Sequence, residues 1–190
     1  MCNTGVTHKL LAIQMSLETI RLYNTFLALL TLVALALAAG LVVYRLVKGR
    51  QAADLFGGKA LWMAWLVAIV ATVGSLIYSE VALFVPCRLC WFQRIAMYPM
   101  SVILLVGAIR KDMAAKFYAL PMALIGLAIS VWHYLIQTFP TLEGGACDVV
   151  NPCSARYVEV FGFISIPFMA GAGFTLISVL LLLYVRANQS

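Results

Sequence analysis

Residues 86–110 read PCRLCWFQRIAMYPMSVILLVGAIR. A proline, a C-x-x-C pair and two arginines lead into an apolar run that closes on a third arginine. From Trp91 to Ile109 the run is about as long as the 20 residues a helix needs to cross a bilayer. Inside lipid a backbone must satisfy its own hydrogen bonds, so a run of this kind is read as helix. Proline favours the first turn of a helix. The spacing therefore predicts Cys87 and Cys90 at a helix N-terminus, at the boundary between membrane and water.

Four further stretches have the same character: roughly Tyr23–Val47, Ala60–Tyr78, Phe117–Gln137 and Phe163–Val185. The chain has 190 residues, 64% hydrophobic and 11% charged, whereas a soluble domain is about half apolar and a quarter charged. The alternation of a membrane barrel is absent. The expected fold class is all-α integral membrane: a four-helix transmembrane bundle with an additional N-terminal transmembrane helix. Residues 1–22 are expected as an extracytoplasmic tail, in which MSLETIRLYN (15–24) could lie as a surface helix. Residues 23–59 supply the extra helix and a basic cytoplasmic loop, and 60–190 the four-helix unit. Ala36 and Ala38 offer a small-x-small site, but the apolar run continues to Val43 and ends at Arg45, so it reads as a full span rather than a cleaved leader.

The formal net charge is +6, and its placement is informative. Arg45, Lys48, Arg50, Lys59, Arg110, Lys111, Lys116 and Arg186 face only Asp54 and Asp112. On the other side, Lys9, Arg21, Arg88, Arg94 and Arg156 are matched by Glu18, Glu80, Glu143, Asp148 and Glu159. The cation excess marks the cytoplasmic side, which gives an outside N-terminus, five spans and a cytoplasmic C-terminus. The basic residues sit where this rule wants them, so nucleic acid is not an expected partner. Cys87, Cys90, Cys147 and Cys153 then fall at the exported face, where disulfides persist; Cys2 lies in the outside segment and is given no role.

At a helix N-terminus, free N–H groups and the macrodipole stabilise a thiolate. Arg88 and Arg94 are expected to depress a thiol pKa further. An inert staple is the bland alternative for this pair. Cys147 and Cys153, in CDVVNPC (147–153) with Gly144-Gly145 before them, are spaced to permit a bridge, static or active. A zinc site is disfavoured by the longer second spacing, so no metal is expected. His133, in VWHYLIQ (131–137), is a functional candidate as an ionisable group in a span, or an interfacial residue beside Trp132 and Tyr134. Arg94 needs a polar partner, with Glu80 and Glu159 as candidates. Trp91, Phe92, Met97, Met100, Trp132 and Tyr134 read as a belt and core, or as a slot for a flat apolar ring. The small residues of PFMAGAGF (167–174) suit close helix packing.

Taken in order, PCRLCWFQRIAMYP (86–99), ISVWHYLIQ (129–137), CDVVNPC (147–153) and FGFISIPFMA (161–170) resemble the disulfide bond formation protein B (DsbB) family, and the short second loop resembles its BdbC-type branch. The resemblance covers about Leu61 to Tyr184 and not the first 60 residues. It implies an enzyme of the bacterial inner membrane that reoxidises an extracytoplasmic, DsbA-like thioredoxin-fold oxidase and passes electrons to a membrane quinone, ubiquinone or menaquinone. By the same resemblance Cys90 contacts the quinone, Arg94 polarises a ring oxygen, and His133 is the quinone-side histidine. Cys147 forms the mixed disulfide with the partner, and Cys153 exchanges with Cys87. Two other readings compete: a vitamin K epoxide reductase-like bundle, whose active pair lies in the last helix where this chain has no cysteine, and a non-enzymatic membrane subunit with stapled loops.

Overall fold

The computed structural model describes residues 4–48, 59–112, 114–145, 147 and 150–187, with side chains from 17 to 183. Cys2, most of the basic loop with Arg50, Asp54, Gly57 and Gly58, Asp148, and the C-terminal residues 188–190 lie outside the described residues. The chain forms five long helices: α1 (Thr4–Lys48), α2 (Ala60–Leu76), α3 (Arg88–Arg110), α4 (Ala115–Thr138) and α5 (Ile166–Ala187). A π turn, Ile77–Val81, extends α2, and a 3-10 turn, Pro140–Glu143, follows α4. All five helices are long and apolar enough to span a membrane, so the protein is a multi-pass membrane protein of the all-α class.

The bounds differ from expectation at two places. Residues 4–22 are helical and run without a break into the span as the first turns of α1. No Gly or Pro interrupts residues 6–39, so nothing in the backbone ends the helix where hydropathy falls. At the other end, Phe163 stands before α5, in a tight loop closed by an isolated bridge between Val160 and Ile164.

Helices α2 to α5 form a ring in which α5 touches both α2 and α4, and α1 packs outside it against α5. Small residues let the backbones approach, as expected where lipid removes any hydrophobic drive between helices. Ala60, Ala64, Ala68 and Thr72 form the buried stripe of α2. On α4 the stripe runs Ala119, Ala123, Gly126, Ser130, His133. The fully buried Phe174 ring of α5 lies directly over Gly126, where a Cβ would overlap it. Below, α3 ends at Lys111 in the left-handed region (φ 53°), and the Asp112 carboxylate accepts the Ala114 N–H at 2.8 Å to complete the turn into α4. This end of the bundle carries Arg110, Lys111 and Lys116; the four cysteines lie at the other.

Candidate functional site

Pro86 and Cys87 enter α3 in extended conformation, Cys87 being the N-cap (φ −71°, ψ 172°), and Cys90 completes the first turn. Their sulfurs are 3.2 Å apart as free thiols. Cys147 and Cys153 are joined in a disulfide. Cys87, Leu89, Ile136 and Cys153 form one buried cluster, with Cys90 and Cys147 packed against it. The two pairs are thus neighbours across the top of the bundle.

The loop holding Cys153 is fastened to α4. The Glu143 carboxylate accepts the Cys153 N–H and the Ser154 hydroxyl, each at 2.7 Å. The Gln137 side-chain amide donates to the Ala155 carbonyl, and Arg156 donates to the Gln137 carbonyl. Asn151 donates to the Val85 carbonyl at 3.3 Å, tying this loop to the segment before Cys87. Stacked rings reinforce the tie: Tyr78 on Phe84, and Phe84 on Tyr157.

His133 is buried between the pairs. Its Nε2 lies 3.6 Å from the Cys87 sulfur and 3.1 Å from the Cys153 carbonyl oxygen, and its Nδ1 finds no protein partner among the described residues. The Cys90 thiol donates to the Cys87 sulfur and His133 faces it; against the opposing effect of burial, these hold the Cys87 thiol well below its ordinary 9.0. Of the cations proposed from sequence, Arg94 acts on the other sulfur of the pair, where its charge favours the Cys90 thiolate.

Arg94 sits one turn beyond Cys90. Its Nε donates to the Ser75 hydroxyl at 2.9 Å and its terminal nitrogen to the Ser75 carbonyl at 3.0 Å, and the guanidinium lies 5.3 Å from the Trp91 ring centre. Its hydrogen-bond partner is therefore a neutral residue of α2 rather than Glu80 or Glu159; Glu159 pairs with Arg156 at 3.3 Å. Tyr98 also donates to the Ser75 hydroxyl. Nothing in the sequence marks Ser75; only the crossing of α2 and α3 reveals it.

Arg94 and Cys90 line an apolar cavity of about 370 Å³ between α1, α2, α3 and α5, within the roughly 300–1,000 Å³ of small-molecule sites. Tyr78, Phe84, Tyr98, Met97 and Met169 also line it. Of the aromatic and Met residues expected as a slot, only Met97 does; Trp91, Phe92 and Trp132 point outward and are about half exposed. His133 does not line this cavity. It borders the small space on the far side of the cysteine pair, with Cys87, Cys90, Pro152 and Val158. The ligand atoms of Cys87, Cys90 and His133 lie within 4.8 Å of one another, one donor short of the four of a structural zinc site.

Residues 58–184 match the family described as "Disulfide bond formation protein DsbB". The chain is 51% identical over 128 residues to a "Probable disulfide formation protein" of Oceanobacillus iheyensis, covering 66% of this chain and 88% of that one. It is 47% identical over 124 residues to "Disulfide bond formation protein C" of Bacillus subtilis, covering 65% and 90% respectively. No solved structure matches. A match across well over half of the chain, falling on the helices that carry both cysteine pairs, makes this protein a member of the DsbB family of disulfide-generating membrane oxidoreductases.

Proposed function

We propose that the protein reoxidises a DsbA-like thioredoxin-fold thiol oxidase outside the cytoplasm and delivers the two electrons to a membrane quinone, ubiquinone or menaquinone. One observation carries the reading: the Cys87–Cys90 pair is two-faced. Cys90 lines the apolar cavity, whereas Cys87 packs against Cys153 on the opposite side. An electron relay needs that arrangement, because thiol–disulfide exchange requires successive sulfurs in reach.

The exchange steps balance as follows. A thiolate of the reduced partner attacks the Cys147 sulfur, the Cys147–Cys153 bond breaks, and Cys153 leaves as thiolate. The partner's second thiol closes its own disulfide and releases Cys147. Cys153 then attacks Cys87 of an oxidised Cys87–Cys90 pair, and Cys90 leaves. Cys147 attacks the Cys153 sulfur of that mixed bond and releases Cys87, which restores the outer disulfide and leaves the inner pair reduced. His133 stands at the Cys87–Cys153 junction, so we assign it to proton handling in this exchange rather than to the quinone.

The cavity fits a quinone: it is apolar along its length, and its polar end holds a thiol and a fixed guanidinium. A bound quinone supplies the two-electron, two-proton acceptor. Arg94, held by Ser75, presents positive charge where a ring oxygen becomes negative, and a preplaced donor of this kind is worth roughly 2–4 kcal/mol. Cys90, which lines the cavity, would face a bound quinone; as the Cys87–Cys90 dithiol became a disulfide, its two electrons and two protons would pass to the quinone.

The orientation follows from the same residues. Arg45 and Lys48 end α1, and Arg110, Lys111 and Lys116 flank the α3–α4 turn; we assign that end to the cytoplasm and the cysteines to the outer face of a bacterial cytoplasmic membrane.

The test is quinone reduction by purified protein in liposomes supplied with a reduced thioredoxin-fold oxidase. Arg94→Gln should slow quinone turnover roughly tenfold to a thousandfold while leaving single-turnover exchange with the partner nearly unchanged. Arg94→Lys, which keeps charge but loses the planar fork, should fall between. Absence of partner-dependent quinone reduction in the wild type rejects the reading.

A further inference from the structure

Helix α1 lies wholly outside the residues matched to the family, yet it forms part of the cavity. Leu27, Thr31 and Ala34 line it together with Cys90 and Arg94. The four-helix ring alone leaves that side of the cavity without a wall, because the other lining residues come from α2 and its π turn, α3, α5, the segment before α3 and Tyr157 of the loop before α5. The wall is also fixed in place. The Tyr23 hydroxyl donates to the Gly74 carbonyl at 3.2 Å, the Tyr78 hydroxyl donates to the Asn24 side-chain oxygen at 2.9 Å, and the Tyr23 and Tyr78 rings meet edge to face. Gly74 is the residue before Ser75, whose hydroxyl and carbonyl hold Arg94. Consecutive residues of α2 therefore anchor the wall and the cationic end of the cavity.

The face of α1 toward the bundle is small where it meets α5: Ala28, Thr31 and Ala38 are buried, and the Thr31 hydroxyl is satisfied by the Leu27 carbonyl within its own helix. The face turned away from the cavity, with Leu29, Leu32 and Val43, is exposed and apolar, as a lipid-facing surface is. α1 is thus a helix with one side in lipid and the other in the cavity.

We propose that α1 is a structural wall of the quinone site that limits the width available to the ring and the start of its isoprenoid chain, so that α1 helps to set which quinones are accepted. The inference rests on the quinone reading of the cavity. Side chains at 27, 31 and 34 are then specificity-determining positions, although none of them touches a cysteine.

The experiment uses the full chain in liposomes. Ala34→Trp projects bulk into the cavity from α1, Ala34→Leu does so more gently, and Leu29→Trp adds the same bulk on the lipid face. Ala34→Trp should lower kcat/KM for a short-chain quinone by roughly tenfold or more, mainly through KM. Single-turnover exchange with the partner should not change, and Leu29→Trp should behave as wild type. A photoreactive azido-quinone should label peptides from the 27–37 stretch of α1. Wild-type quinone kinetics in both Ala34 variants, or labelling confined to α2, α3 and α5, overturns the wall. If Ala34→Trp fails to accumulate, Ala34→Leu and the labelling decide. The quinone reading fails separately, and takes the wall with it, if Arg94→Gln turns over quinone normally and the label misses the cavity altogether.

Discussion

At the level of single residues, the chemistry is set by which neighbours touch a sulfur. Cys87 has a hydrogen bond from Cys90 and an imidazole at 3.6 Å, and these outweigh its burial and lower its thiol below the ordinary 9.0. A lowered thiol pKa means that the thiolate persists above that value and is lost only as the pH falls through it. The ultraviolet absorbance of the Cys87 thiolate, taken as the difference between reduced wild type and Cys87→Ser, should therefore persist as the pH is lowered well below the ordinary 9.0. Cys90→Ala removes the largest cause and should move the midpoint up toward the ordinary 9.0, with His133→Ala moving it less. A wild-type midpoint near 9.0 would show that neither neighbour acts on Cys87. The helix-terminal position of this pair was legible in the sequence, because Pro86 and an apolar run bracket it. The largest cause, the Cys90 thiol, was in view as the other half of the C-x-x-C pair; the second, the His133 imidazole, was not, because it is 46 residues away in the chain. Ser75 was invisible for the same reason, since a serine near a helix end carries no mark until α3 crosses it.

The helices themselves were legible because apolar runs of bilayer length have few other structures open to them. Their ends were less so. Hydropathy reports where lipid stops, not where helical hydrogen bonding stops, and α1 continues well beyond its apolar part. The π turn after Leu76 gave no signal either: no Gly or Pro lies between Gly74 and Pro86. That turn follows the two carbonyls, of Gly74 and Ser75, that accept side chains from α1 and α3, and π turns recur at functional sites. The small residues of α5 were read from sequence as packing devices; those of α4 were not, and Gly126 shows how closely the two helices meet. The Phe174 ring occupies the space of its missing Cβ, and the ring, at the centre of the core, cannot swing away cheaply. Gly126→Ala should therefore destabilise the α4–α5 contact by about 1–3 kcal/mol, the usual cost of overpacking. Thermal unfolding in detergent should register a lower midpoint, and Gly126→Ala with Phe174→Leu should recover part of it. An unchanged midpoint in Gly126→Ala means that the contact is looser than the geometry indicates.

Across the whole molecule, the cysteines and the cavity stand in one spatial order. The loop disulfide is outermost, His133 and the Cys87 sulfur come next, Cys90 follows, and the apolar cavity beside α1 is last. The path is divided at the cysteine pair, so its two halves should be separable by substitution. In the proposed relay, Cys147→Ser removes the sulfur that the partner attacks, yet leaves Cys87, Cys90, Arg94 and the cavity untouched. Partner oxidation and the mixed disulfide should both vanish in this variant. Chemically reduced Cys147→Ser should still reduce one equivalent of quinone in a single turnover, because Cys87 and Cys90 alone hold the two electrons. A membrane-impermeant maleimide added outside intact cells should label reduced Cys147 in the wild type, while a reporter fused after Ser190 stays in the cytoplasm. Oxidation of the partner by Cys147→Ser at the wild-type rate would mean that the partner addresses the inner pair directly. Loss of the single quinone turnover would mean that the loop disulfide belongs to the quinone half of the path, and that the division at Cys87–Cys90 is drawn in the wrong place.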